Sequence, residues 1–285
     1  MRSGSALHAR LRLGSFALFA AVAACAESPP PEIPSGCVSD SGCAQAPRLA
    51  CRSGVCVEPG CPDGSVYVQG GRFRRGCDNQ DADCEVAAQP PHFATLSHGY
   101  CLAQTELSVG EYRACLASSK CPMPAAPETI SSLRCSADHA TWTDTPGLDD
   151  SLPMSCLLWA EAGAACAAVG GRLPTEAEWE RAARGEDGRD YPWGQADPIF
   201  CDQGINFAGV DCPARPWSVR NDDRQGAMYR TPYMAFDLAG NVSEWVADVY
   251  VQSAYSTCRD GCTDPTGPAT GELRVRRGGS FESSY

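Results

Sequence analysis

Between residues 171 and 185 the apolar positions recur with a helical period. Trp179, Ala182 and Ala183 lie at i, i+3 and i+4 and make a narrow apolar stripe whose small members let a helix lie close to its neighbour. Thr175 followed three positions on by Glu178 is a capping box, and Gly185 supplies the stop. Glu176, Glu178 and Glu180 toward the first turn, with Arg181 and Arg184 toward the last, suit the helix dipole at both ends. The pattern predicts a helix over 175–184. A second capping box, Ser108 with Glu111, opens a predicted helix near 109–118 that carries Tyr112, Cys115 and Leu116. A third runs near 157–169 and is ended by Gly170-Gly171. Val66, Val68 and Phe73 around Gly70-Gly71 predict a strand, a turn and a strand, and residues 92–102 alternate loosely. Residues 118–154 and 190–236 carry many turn-forming residues and little period, so both read as irregular excursions, and no internal repeat runs through the chain.

The N-terminus follows a different pattern. Arg2, Arg10 and Arg12 precede an apolar run over 13–24 that is too short to span a bilayer and stands where the h-region of a secretory signal belongs. It ends Val22-Ala23-Ala24-Cys25, similar to a bacterial lipobox. Residues 1–25 are therefore expected to be a lipoprotein signal, with Cys25 lipidated and the chain anchored at the periplasmic or outer surface of a bacterial membrane; the competing reading is an ordinary signal peptide. Prolines 29, 30, 31 and 34 make 26–36 an extended tether. Cys37, Cys43, Cys51, Cys56 and Cys61 then punctuate a stretch, 37–61, too poor in apolar residues to bury a core. With no Cys-x-x-Cys pair and no histidine among them, disulfides are favoured over zinc. That stretch resembles short cysteine repeats of exported myxobacterial proteins. Residues 62–285 are long enough for one domain with a real core.

Composition agrees with export. The chain holds 35 acidic and 23 basic residues; without the three arginines of the signal the balance is 35 against 20, a net of −15, which speaks against nucleic acid as a partner. Eighteen cysteines belong in an oxidising compartment. Short-loop bridges Cys115–Cys121, Cys156–Cys166, Cys201–Cys212 and Cys258–Cys262 are expected, although spacing does not fix connectivity. With Cys25 lipidated 17 cysteines remain, so one thiol is expected to be unpaired. The acidic loop 78–83 reads as solvated surface. No zincin, nucleophile-elbow, P-loop or dinucleotide motif is present, and only four histidines occur. One oxygen-rich turn stands out. Asp237, the carbonyls of Gly240 and Val242, and Glu244 offer the hard ligands calcium takes, the competing reading being a tight turn with Asn241 left-handed.

The wording of several blocks carries further information. Gly171-Arg172-Leu173-Pro174-Thr175-Glu176-Ala177-Glu178-Trp179-Glu180, then Ala182-Ala183-Arg184-Gly185 and Tyr191-Pro192-Trp193-Gly194, resembles the signature of the sulfatase-modifying factor, or formylglycine-generating enzyme, family. Val68-Gln69-Gly70-Gly71-Arg72-Phe73, Asp237-Leu238-Ala239-Gly240-Asn241-Val242-Ser243-Glu244-Trp245 and Arg274-Val275-Arg276-Arg277-Gly278-Gly279-Ser280 resemble it in the same order. The resemblance implies an α+β domain of the formylglycine-generating enzyme fold, loop-rich and C-type-lectin-like, over 62–285. It implies a structural calcium at Asp237, Gly240, Val242 and Glu244, and a second at Asn206, Phe207 and Asp211.

The same resemblance implies where oxidase chemistry would sit. In the family, two cysteines shortly after Arg-Gly-Gly-Ser bind copper(I), whose softness thiolates suit. Here Ser280 and Ser283 hold the active-site positions, the second cysteine would lie beyond Tyr285, and Ser243 stands where the family commonly has tryptophan. The scarcity of histidine also argues against the three-histidine iron site of sulfoxide-synthase relatives. The expectation is thus a domain truncated at its C-terminus, with no catalytic residue of its own and no copper. Two functions stay open: a monomeric, membrane-tethered scaffold that binds an exported protein or glycan, or an oxidase converting a sulfatase cysteine to formylglycine.

Overall fold

The computed structural model describes residues 60–283 except 78–83, 85, 127–134, 136–138, 196–214, 220–229 and 259–260, together with the backbone of 20–22, 26–27, 50–52 and 55–57. Strand β1 is Ala20–Val22, β2 Ala26–Glu27, and β3 (Ala50–Arg52) and β4 (Val55–Val57) form a hairpin within the cysteine-rich stretch. In the main domain β5 (Ser65–Val68) and β6 (Gly71–Arg75) flank the expected Gly-Gly turn. Strands β7 (His92–Leu96) and β8 (Tyr100–Ala103) resolve the loosely alternating stretch into two strands. The sequence-predicted helices all form: α1 Val109–Ala117, α2 Trp159–Ala168 and α3 Glu176–Arg184. Both expected capping boxes close, at Ser108 with Glu111 and at Thr175 with Glu178.

Among the described residues four small sheets share the strands, in keeping with an α+β organisation with long loops. β5 pairs antiparallel with β8, while β6 pairs antiparallel with β7, whose other edge takes the short β11 (Cys262–Thr263) in parallel. The long β10 (Ser243–Val249) pairs antiparallel with β12 (Arg274–Arg277), and β1 lies parallel on its other edge. Ala26–Glu27, at the start of the stretch read as a tether, bridges β8 and β9 (Gly171–Arg172).

Helix α3 passes through the middle of this arrangement and departs from the sequence expectation in one respect. Its stripe of Ala177, Trp179, Ala182 and Ala183 packs in the core with Phe73, Leu102, Leu238 and Val246, but the other face is buried as well, so that all nine residues are inside. What makes that tolerable is pairing. Arg75 donates to Glu176 at 2.8 Å, Arg184 to Glu180 at 2.7 Å, and Arg277 approaches Glu176 at 3.5 Å and Glu180 at 3.4 Å. Arg181, fully buried, donates to the carbonyls of Gln69, Gly70 and Arg72 and to Glu186. Gly76 closes the network from the strand side: its N–H reaches Glu180 at 2.7 Å and its carbonyl takes Arg184 at 2.9 Å. It does so at φ +84°, with the carbonyl of Ala88 2.6 Å from where a Cβ would stand, so only glycine fits.

Disulfides tie the loops to this frame. Cys61–Cys101, Cys77–Cys84, Cys115–Cys121, Cys135–Cys156 and Cys258–Cys262 are formed. Two of the expected bridges are therefore present and one is corrected: Cys156 joins Cys135, not Cys166, which is itself disulfide-bonded. The physical reason is direction. Cys156 sits at φ +62° before α2 and packs with Cys135, Val242 and Phe281, whereas Cys166 lies on α2 in a separate cluster with Val109, Leu157 and Trp245. Cys201 and Cys212, the acidic loop 78–83 and Cys25 lie outside the described residues, and the expected odd thiol is not among the described cysteines, none of which is free. Peptide mapping of the unreduced protein is expected to return a Cys135–Cys156 crosslinked pair; a Cys156–Cys166 pair would contradict this arrangement.

Candidate functional site

Two features named by the sequence meet at one end of β10. The first is the turn 237–244. Asp237 and Asn241 take left-handed backbone, at φ 58° and 53°, with Gly240 at 86° between them, a succession that coils the chain tightly. Asn241 is indeed left-handed, and its side chain fixes the turn: Oδ1 accepts from Trp217 N–H at 2.8 Å and Nδ2 donates to Glu106 at 2.6 Å. The other Glu106 oxygen accepts from Val242 N–H at 3.1 Å. Glu244, the second residue of β10, accepts from the indole N–H of Trp179, while its other oxygen has no hydrogen-bond partner.

Three carboxylates are thus buried around this turn, with Glu106 1% exposed, Asp237 7% and Glu244 0%. Burial, then the neighbouring carboxylates of Asp237 and Glu244, push Glu106 well above the usual carboxylate range against the pull of its two N–H donors. Burial pushes Glu244 up to about 8, the Trp179 N–H opposing and the Asp237 charge adding to it. The charge that bears on Glu244 is another carboxylate rather than an arginine, in contrast to Glu176 and Glu180. An orphaned buried carboxylate oxygen beside two further acids suits a hard cation. Among the described residues no group of three or more His, Cys, Asp or Glu side chains could hold a metal ion between them. Calcium at the set the resemblance implies would therefore have to draw on the Gly240 and Val242 carbonyls beside Asp237 and Glu244, Glu106 being engaged by Asn241 and Val242. The sequence reading missed Glu106, which stands 131 positions before Asp237 and is tied to the turn only by tertiary structure; its one signal was a glutamate just ahead of the α1 capping box. Asn206, Phe207 and Asp211 lie outside the described residues.

The second feature is the loop 280–283 after β12. Phe281 N–H donates to the Asn241 carbonyl at 2.8 Å and Gly240 N–H to the Gly278 carbonyl at 2.9 Å, so the loop and the carboxylate turn are held together. Ser243, where the resemblance places tryptophan, donates to the Gly279 carbonyl at 3.0 Å and continues the same seam. Ser283 closes a tight turn: its hydroxyl accepts from Ser280 N–H at 3.0 Å, and its own N–H returns to the Ser280 carbonyl at 2.8 Å. The two hydroxyl oxygens are 3.4 Å apart. Beside them His139 approaches Glu282 at 3.3 Å and sets its ring edgewise on Phe281. The donors gathered here are hydroxyls, one imidazole and one carboxylate, and every described cysteine is held in a disulfide. A serine oxygen is harder and far less acidic than a thiolate, so the loop does not fit copper(I).

Residues 57–285 match the family described as the sulfatase-modifying factor enzyme 1-like domain. The chain belongs to that family. It is 37% identical over 139 residues to the formylglycine-generating enzyme of Thermomonospora curvata, covering 45% of this chain and 44% of that protein. To the inactive Cα-formylglycine-generating enzyme 2 of Mus musculus it is 35% identical over 143 residues, 46% of this chain and 38% of that protein. It spans less than half the length of either relative. The fold is that of this family, and PvdO from Pseudomonas aeruginosa superposes with a TM-score of 0.55 over 77% of this chain and 83% of that one, at 18% identity.

Proposed function

We propose that this member of the sulfatase-modifying factor family is an exported, lipid-anchored binding protein in which the domain serves as a scaffold for a protein or glycan ligand. The observation that carries the proposal is Ser283. It occupies the position where the resemblance expects a copper thiolate, and its hydroxyl is used in the turn with Ser280. The secretory signal, Cys25 after small residues and the proline tether support export and anchoring, and the paired, buried frame around α3 supports a rigid scaffold whose loops are free to vary. A structural calcium at Asp237, Gly240, Val242 and Glu244 belongs to the same proposal, since it would hold the turn on which the 280–283 loop rests. The oxidase reading is favoured by the identity to the Thermomonospora curvata enzyme, while the likeness to an inactive paralogue accords with a scaffold that has lost the chemistry.

The deciding experiment incubates the purified chain with copper, oxygen and a peptide carrying Cys-x-Pro-x-Arg, and follows peptide mass. No cysteine-to-formylglycine conversion is expected; turnover would establish the oxidase and remove the scaffold proposal.

A further inference from the structure

A cavity of about 260 Å³ opens between β10, the 3-10 turn Tyr255–Cys258 and the stretch 265–268 that follows β11. It shares no residue with the turn 237–244 or the loop 280–283. Val249, Val275, Pro265 and Pro268 give it apolar sides, and Arg75, Glu176 and Asp248 reach its wall. Val251 and Ser253 line this cavity and also a wider groove of about 940 Å³, so the two adjoin. The rest of the groove, Val86, Gln89, Pro90, Pro91, Gln252 and Ser256, carries no charge, and its apolar members stand open, with Val86 66% exposed.

Of the three charged groups on the cavity wall, Asp248 is the one left without an opposite charge. Arg75 donates to Glu176 at 2.8 Å with its guanidinium over the Tyr255 ring at 4.1 Å, and Glu176 is approached by Arg277 at 3.5 Å as well. Asp248 is 6% exposed and forms no ion pair among the described residues; each of its oxygens accepts one backbone N–H, from Glu176 at 2.7 Å and from Gly267 at 2.6 Å. Those donors fix the carboxylate and leave acceptor capacity on both oxygens, but neither is a cation. Burial pushes the Asp248 carboxyl above its ordinary range and the Glu176 charge adds to this, while the two N–H donors and Arg75 do not bring it back. A cation placed against it would.

Charge therefore selects the occupant. An anion would meet Asp248 head on, an uncharged group would leave it as it is, and a chain with 35 acidic against 23 basic residues draws cationic partners toward it. Of the two long cationic side chains, lysine fits better. A guanidinium makes its strongest carboxylate contact with both oxygens at once, and here each oxygen already takes an N–H from the protein. An ammonium needs one oxygen only, and the methylenes behind it suit apolar sides.

We propose that groove and cavity dock an extended segment of a partner protein, with one lysine side chain threaded into the cavity so that its ammonium meets Asp248 and its methylenes lie on Val249, Val275 and Pro268. The inference rests on the scaffold reading and deepens it, naming a protein rather than a glycan as the ligand. The two fail separately, because the formylglycine assay follows chemistry at the 280–283 loop and the docking assay reads the cavity.

Saturation-transfer NMR on the full chain tests it with the capped peptide acetyl-Ala-Gln-Lys-Gln-Ala-amide, and with the same peptide carrying norleucine, Nε-acetyllysine, arginine or glutamate in place of the lysine. Transfer to the lysine peptide is expected, strongest at the side-chain methylenes, with little to the comparators. Ser253→Trp and Thr266→Trp, exposed positions on the lining where the change leaves the charge untouched, should each abolish the signal with an unchanged melting temperature. The proposal is overturned if the lysine peptide receives no transfer, if any comparator receives as much, or if either tryptophan variant leaves the signal intact, which would mean attraction to the acidic surface at large.

Discussion

Glu180→Gln is expected to destabilise the protein by about 3–5 kcal/mol, the range for breaking a buried ion pair from one side. The carboxylate is 1% exposed and serves five groups: Gly76 N–H and Arg184 at 2.7 Å, Tyr255 hydroxyl at 2.8 Å, Arg277 at 3.4 Å and Arg75 at 3.8 Å. Glutamine keeps the shape but removes the charge and points an amide donor at groups that are themselves donors. Glu186→Gln is the control, because Glu186 also meets a buried arginine but is itself 64% exposed, and less than about 1 kcal/mol is expected there. Urea unfolding with disulfides intact reads both. Acid titration gives an independent check. Burial alone would raise Glu180, yet Arg277, Arg184 and Arg75 outweigh it and hold the group at about 2 against an ordinary 4.5. A depressed carboxylate contributes stability in full above its unfolded value and loses it as pH falls toward the folded one. The gap between wild type and Glu180→Gln should therefore be constant above pH 4.5 and narrow between 4.5 and 2. A gap indifferent to pH in that window would mean that shape, not charge, sets the penalty.

Local signals carried much of this fold. Both capping boxes, the Gly-Gly turn between β5 and β6 and the stop at Gly185 are written within a few residues of the structure they make, and each forms. The burial of α3 on every side was not legible, because Glu176, Glu180 and Arg184 read as a solvated face until Arg75 and Arg277 arrive from strands 101 residues away on either side of Glu176. Distance in sequence also hid Glu106 from the turn at 237–244, and it hid the Cys135–Cys156 bridge, since the guess of a short Cys156–Cys166 loop used spacing where only backbone direction decides. The blocks that resembled the family located the 280–283 loop and the carboxylate turn. That the two are pinned to each other, through Phe281 N–H and the Asn241 carbonyl, is a fact of the tertiary structure.

Chelation should reveal whether a cation sits at that turn beside Asp237 and Glu244. If calcium occupies the site at a hundred times its dissociation constant, adding EGTA removes about 2.7 kcal/mol of stabilisation. For a domain of this size that lowers the melting temperature by roughly 5–10 °C. Terbium gives a direct readout, since the indole of Trp179 donates to Glu244 and so stands beside the ion as a sensitiser. Luminescence excited through tryptophan should appear on adding terbium and disappear on adding calcium. Glu244→Gln can still accept from the Trp179 N–H, so it keeps the local hydrogen-bond frame while removing a ligand charge, whereas Glu106→Gln would turn an amide donor on either Val242 N–H or Asn241 Nδ2. Glu244→Gln should lose the terbium signal and the response to EGTA. Its melting temperature in EGTA should nevertheless be no lower than that of wild type in EGTA, because without a cation burial and the Asp237 charge already disfavour an ionised Glu244 and the glutamine keeps the bond to Trp179. A merely structural role for Glu244 predicts the opposite, a variant that melts lower with or without EGTA and a wild type that ignores chelation. That outcome would leave Asn241 and its hydrogen bonds, rather than an ion, as what holds the turn beneath the 280–283 loop.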